Sequence, residues 1–187
     1  MYHISKDKRA ITSAERIAEG LLSCSKQFSF TEITIPILLE RSSVSRATFY
    51  RLFDRIEDVL QYLCDCAVRK EFDYPVMLLG KWPKAFLLCI IGRFMEENAL
   101  TKMLAESNNF NMIQKSLKCH TDEIISCLMI AEMEKRHIDF VIGNLIGMIS
   151  FALEMWVKNG KKETRDELYN ELRGTVLFTG KLMEISE

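Results

Sequence analysis

The sequence predicts an all-α fold made of a small N-terminal head and a larger helical body. Three observations carry that reading. Apolar residues recur at three- and four-residue steps along most of the chain, the spacing of one helix face. No stretch alternates apolar and polar residues long enough to propose a sheet. Breakers are scarce, with three prolines and eight glycines in 187 residues, so long helices are allowed. With 48% apolar and 27% charged residues, a chain of this length can bury a substantial core.

The first helix is expected over about 7–26, where Ile11, Ala14, Ile17, Ala18, Leu21 and Leu22 form one stripe. A short second helix follows Thr34, with Pro36 tolerated in its first turn because the N–H groups there have no intrahelical partner. Ile35, Leu38 and Leu39 give it an apolar side, and Arg41-Ser42-Ser43 ends it. Ser45 is placed to cap a third helix running to Phe53, and Asp54 is expected to open a fourth that closes at Tyr74-Pro75, since a residue before proline disfavours the α region. Four longer helices are predicted at about 84–106, 110–135, 138–158 and 163–184. Asn108-Asn109, the polar run 132–137 and Asn159-Gly160-Lys161-Lys162 serve as their connections.

Two short amphipathic helices joined by a tight polar turn are the recipe for a helix-turn-helix, and Thr34 to Phe53 fits it. Val44, Phe49 and Phe53 would anchor its second helix, leaving Ser45, Arg46, Ala47 and Thr48 outward. Ala47 is small enough to let the helix approach a groove floor. Arg46 can reach a guanine edge or a phosphate, and Tyr50 can donate its hydroxyl to a phosphate. The candidate DNA-contacting set is Thr34, Ser43, Ser45, Arg46, Ala47, Thr48, Tyr50, Arg51 and Arg55. Charge supports it weakly: residues 1–55 hold nine Lys/Arg against six Asp/Glu, and the remainder sixteen against twenty.

The strings Phe30-Thr31-Glu32-Ile33-Thr34-Ile35 and Val44-Ser45-Arg46-Ala47-Thr48-Phe49-Tyr50-Arg51-Leu52-Phe53 resemble the TetR family signature. Glu57-Asp58-Val59-Leu60 fits the opening of that family's fourth helix. The resemblance covers about residues 8–64. A softer one, at Gly143-Asn144-Leu145-Ile146-Gly147 and Trp156-Val157-Lys158-Asn159-Gly160, looks like the subgroup that includes the dihydroxyacetone-kinase regulators. It implies a helix-turn-helix DNA-binding domain over 1–54 and a helical effector-binding and dimerisation domain over 55–187. It also implies a homodimer on a palindromic operator, a repressor by default; a cytoplasmic location is expected separately, from cysteines that read as free thiols in a reducing compartment. Two positions depart from the pattern. The family often carries a phosphate-facing His just before the last Phe and a Lys a little later, where this chain has Leu52 and Ile56. On that ground, restoring His and Lys is expected to strengthen DNA binding. The alternative function is a co-regulator with the same fold and weakened DNA contact, acting through a protein partner.

In the body, Ile138, Val141, Ile142, Leu145, Ile149, Leu153 and Trp156 form one stripe and Leu168, Leu172, Val176 and Leu182 another. Leu145, Ile149, Trp156, Leu172 and Val176 are the expected dimer interface, with Gly143 and Gly147 permitting close helix approach. Phe86, Phe94, Met103, Phe110 and Met129 are the candidate lining of a pocket for a small apolar effector. No cofactor or metal is expected. Cysteines at 24, 64, 66, 89, 119 and 127 lack the paired spacing of a zinc site and read as buried free thiols. No catalytic residue stands out, for there is no nucleophile elbow and no phosphate-cradling glycine loop. The opening residues lack the pattern of a signal peptide. The apolar run 138–156 is interrupted by Asp139, Asn144, Ser150 and Glu154, so no membrane span is expected.

Overall fold

A computed structural model describes residues 2–73, 82–128 and 130–184, and over these the chain is all helical. The head comprises α1 (Lys8–Cys24), a 3₁₀ turn (Phe30–Glu32), α2 (Ile35–Ser42) and α3 (Arg46–Leu52). The body comprises α4 (Ile56–Asp73), α5 (Trp82–Glu96), α6 (Asn98–Glu106), α7 (Asn111–Lys118), α8 (Thr121–Leu128), α9 (Lys135–Lys158) and α10 (Arg165–Glu184).

The head is built as its stripes require. Ala14, Ile17, Ala18 and Leu21 of α1 are buried with Leu38 of α2 and Phe49, Leu52 and Phe53 around α3. Gly20 lets α1 and α2 meet closely: a β-carbon there would lie 2.9 Å from Ser42 Cβ, inside any tolerable contact. The first residues are knitted into this unit. His3 N–H donates to the Leu52 carbonyl at 2.8 Å, and the Tyr2 ring packs against Phe53 and Tyr62. Tyr2 Oη donates to Asp65 on α4 at 2.5 Å, while Ser116 of α7 donates to the other oxygen of the same carboxylate.

Several helices break where the sequence gives no warning. The stretch expected as one helix over 84–106 divides at Glu97, between α5 and α6. The stretch 110–135 divides at Cys119-His120, between α7 and α8, and α8 stops at Leu128. Neither division contains glycine or proline. Helix α4 begins at Ile56 rather than at Asp54, because Asp58 Oδ2 accepts the backbone N–H groups of Asp54 and Arg55 at 3.1 and 3.2 Å and so caps it from within. The expected end of α4 at Tyr74-Pro75 lies outside the described residues. Cys119 is exposed, contrary to the expectation of buried thiols; Cys24, Cys64 and Cys127 are buried.

Helix α9 is long and apolar enough to cross a membrane by length and composition alone, a test that a core helix also passes. Two of the polar residues that interrupt it are accommodated by the fold. Ser150 is core-facing and donates to the Phe110 carbonyl at 2.8 Å. Glu154 lies next to the solvent edge and pairs with Lys158 at 2.5 Å. One face of α9, with Ile138, Ile142, Ile146, Ile149, Leu153 and Trp156, is buried in the body. The other is apolar and open: Phe140 is 68% and Phe151 63% exposed, with Met155 beside them. Helix α10 runs back along α9 and adds Val176, Leu177 and Phe178 to the exposed set.

This placement revises the expected interface residues. Ile149 and Trp156 are core, and Trp156 Nε1 donates to the Glu163 carbonyl at 3.0 Å. Leu145 and Leu172 are half-buried between α9 and α10, and Val176 alone of the five is exposed. The pocket candidates fare similarly. Phe86, Phe94, Met103 and Phe110 are buried in the core and line none of the described cavities. Met129 lies outside the described residues.

Candidate nucleic-acid interface

The turn between α2 and α3 is made by Ser43 in the left-handed conformation, at φ 52°, which ends α2 and lets α3 begin three residues later. Arg16 of α1 holds that turn from outside, its Nη2 donating to the Ser43 carbonyl at 3.1 Å. Sequence reasoning missed Arg16; a cation on the exposed side of the first helix carries no local signal of what it touches. Beyond the turn, Ser45 caps α3 as expected, with its Oγ accepting the Thr48 N–H at 3.2 Å. Ser45 Oγ also lies 2.9 Å from Thr48 Oγ1. Removing the cap with Ser45→Ala should lower stability by about 1 kcal/mol, read as a lower midpoint in urea with an unchanged slope.

Helix α3 separates its two roles cleanly. Phe49 and Leu52 face inward, and Phe49 packs against Phe53 at 5.9 Å between centroids. Arg46, Ala47, Tyr50 and Arg51 face outward, with Tyr50 44% exposed. The Arg46 guanidinium lies 5.6 Å from the centre of the Tyr50 ring, a cation–π contact that restricts its rotamers without neutralising its charge. Tyr50 in turn packs edge-on against Phe49. Ser43, Ser45 and Thr34 are placed at the ends of these short helices, and Thr48 is half-exposed on α3. Thr34 stands at the N-cap of α2 but its side chain makes no capping bond there. Arg55 extends into solvent, 3.9 Å from the buried carboxylate of Asp58.

Leu52 corrects the sequence reading. It is 1% exposed and packs among Phe49 and Phe53, so a residue at this position faces the core and not a phosphate. Ile56 is half-buried in the first turn of α4. The expected gain from restoring a histidine at 52 therefore has no geometric basis.

The exposed side of α3 thus offers two arginines, a phenol, a small residue and a hydroxyl on a rigid support. That set can donate hydrogen bonds to phosphate oxygens and base edges.

The fold is one seen before. A structure of Lin0861 from Listeria innocua superposes with a TM-score of 0.71 at 20% identity, covering 95% of this chain and 96% of that one. A TetR-family transcriptional regulator from Streptomyces coelicolor superposes with a TM-score of 0.56 at 16% identity, over 85% of this chain and 78% of that one. A TetR transcriptional regulator from Streptococcus agalactiae gives 0.53 at 17% identity, over 91% and 97%. No family model and no curated protein matches the sequence. The chain has the all-helical fold of TetR-type regulators.

Proposed function

We propose that this chain is a TetR-type, sequence-specific DNA-binding regulator, a repressor acting in the cytoplasm as a homodimer on a palindromic operator. It is not an enzyme on this reading. Residues 1–54 form the reading head, and residues 55–187 form the body that pairs with a second copy and responds to a small apolar effector. The observation that carries the reading is the two-sided α3: Phe49 and Leu52 are locked in the core, while Arg46, Ala47, Tyr50 and Arg51 point outward from a capped, seven-residue helix. An HTH recognition helix needs that division, since base-reading side chains must be exposed on a support that does not move.

The exposed apolar face of α9 and α10 supports the dimer. Monomers seldom leave so many large apolar side chains uncovered on neighbouring helices. Gly143 and Gly147 have open space around them, which lets a second copy of α9 approach closely. Two-fold pairing there would place two heads on one face of a duplex. The co-regulator alternative loses much of its ground with Leu52, whose burial means that no phosphate contact was given up at that position.

Arg46→Ala tests the reading head. Binding should fall by about 1–3 kcal/mol on the preferred sequence and much less on random duplex if Arg46 grips a base edge. Equal weakening on all sequences would move Arg46 to the phosphates. A salt series on the same duplexes should give a log–log slope growing by about 0.9 for each phosphate contacted. A protein that ignores duplex DNA even at low salt would refute the proposal.

A further inference from the structure

A cleft of about 370 Å³ opens where the end of α1 meets α6 and the turn between α9 and α10. Lys26, Lys102 and Lys161 border it, with Ser25, Asn98 and Glu106. Lys102 Nζ donates to the Ser25 carbonyl at 3.1 Å and lies 3.6 Å from Glu106. Glu106 is already engaged, because its other oxygen accepts the Phe30 N–H at 2.7 Å.

Lys161 is held differently. Its ammonium donates to the Asn98 side-chain oxygen, lies 3.3 Å from the Thr101 hydroxyl and sits 5.3 Å from the centre of the Trp156 ring. These partners are all neutral. Among the described residues no carboxylate lies within ion-pair distance of it. Partial burial pushes its pKa down, and the charge of Lys102 pushes it further the same way. A nearby anion would favour the charged ammonium and so act against both effects.

Two backbone features add to this. Lys161 occupies the left-handed region at φ 57°, directly after Gly160 at φ 86°, where a β-carbon is disfavoured and glycine or asparagine is the usual choice. The first turn of α6 also lines the cleft through Asn98 and Ala99, and its N-cap residue, Glu97, makes no side-chain cap. The unsatisfied N–H groups of a first helical turn favour an anion.

We propose that this cleft binds a compact anion carrying two or more negative charges, held between Lys161, Lys102 and Lys26. A phosphate monoester and a small polycarboxylate share that chemistry. Ser25 and Lys26 close α1, whereas Lys102 and Lys161 lie on α6 and after α9, so the anion ties the end of the head to the body. The site is separate from α3 and from the exposed face of α9 and α10, and its existence does not depend on DNA binding.

Titration calorimetry of the full chain at constant ionic strength tests it, with inorganic phosphate, citrate and acetate as probes. Phosphate, citrate or both should bind with one site per chain, and acetate at least tenfold more weakly. Phosphate alone identifies a phosphate ligand, and citrate alone a polycarboxylate. Lys161→Gln and Lys102→Gln should each weaken binding at least tenfold, whereas Lys115→Gln, on α7, should leave it unchanged. In a Trp82→Phe background the emission of Trp156, beside Lys161, should report the same occupancy. Circular dichroism melts identify which variants are folded, and two independent lysine variants guard against one that is not. Absence of binding by both phosphate and citrate at millimolar concentration overturns the proposal. So does a folded Lys161→Gln or Lys102→Gln variant that binds as tightly as the parent.

Discussion

Leu52→His should destabilise the protein by about 3 kcal/mol or more, and DNA binding should weaken as a consequence of lost folding. The parent side chain is 1% exposed and sits beside Phe49 and Phe53. Its removal forfeits the packing of a fully buried leucine, a loss of about 2–5 kcal/mol when nothing refills the space. The imidazole fills part of the volume but brings a polar ring into a site with an aromatic lining, and an unpaired buried polar group carries its own penalty. The surrounding chain cannot relax easily, because the Leu52 carbonyl accepts the His3 N–H and the Tyr2 ring rests on Phe53.

The pH dependence has a definite sign. Burial holds the introduced imidazole neutral, so its folded pKa falls below the unfolded value of about 6.5. Below that value the unfolded chain binds more protons, and stability is lost as pH falls. Thermal melts of the variant between pH 8 and pH 5.5 should therefore separate increasingly from the parent. Ile56→Lys is the contrasting case. Ile56 is half-buried at the start of α4, so a lysine can extend its ammonium to water at a cost of under about 1 kcal/mol. A Leu52→His protein as stable as the parent, binding DNA more tightly, would mean that the residue faces the duplex after all.

If the proposed pairing through α9 and α10 holds, Phe140→Glu combined with Phe151→Glu should leave a folded monomer. Both side chains are more than half exposed in the single chain, so charging them disturbs nothing within it. At a two-fold interface each substitution acts twice, and burying unpaired carboxylates there costs several kcal/mol. A dissociation constant raised about 1000-fold corresponds to about 4 kcal/mol, and the double variant should exceed that. Sedimentation should show half the parent mass, with an unchanged far-ultraviolet spectrum. Trp156→Glu should behave in the opposite way. Its indole is buried and bonded to the Glu163 carbonyl, so the charge breaks the monomer core and the protein should aggregate or fail to fold. A double Phe variant that stays dimeric would place the interface elsewhere.

Head and body differ in how much of each was legible in the sequence. The head could be read almost residue by residue, because each of its helices has one apolar stripe and ends on a recognisable signal. Ser45 caps α3, Ser43 turns the chain, and Phe49 and Phe53 anchor it. Leu52 misled because resemblance to a motif assigns roles by position, whereas burial is decided by the direction of the side chain. Helix α9 misled for a different reason. It is apolar on both sides, so periodicity finds a stripe without saying which stripe faces inward. Ile149 and Trp156 are core, and Phe140 and Phe151 are open. The breaks at Glu97 and at Cys119-His120 left no trace, since neither carries the glycine or proline by which a sequence marks the end of a helix. The lysine cleft was invisible because Lys26, Lys102 and Lys161 are far apart in the chain, and only the fold brings them together.

Whether the exposed side of α3 reads duplex DNA as one half of a symmetric pair can be decided by selecting bound sequences from a random duplex pool with the full-length protein. The enriched sequences should share an inverted repeat, its half-sites separated by about one helical turn or a multiple of it. Arg46→Ala should blur specific positions within each half-site, leaving the spacing unchanged, because on the proposed pairing the spacing is set by the body. A pool that emerges unenriched after several rounds at low salt, or a motif with no two-fold symmetry that is indifferent to Arg46, would show that α3 does not read DNA in this way.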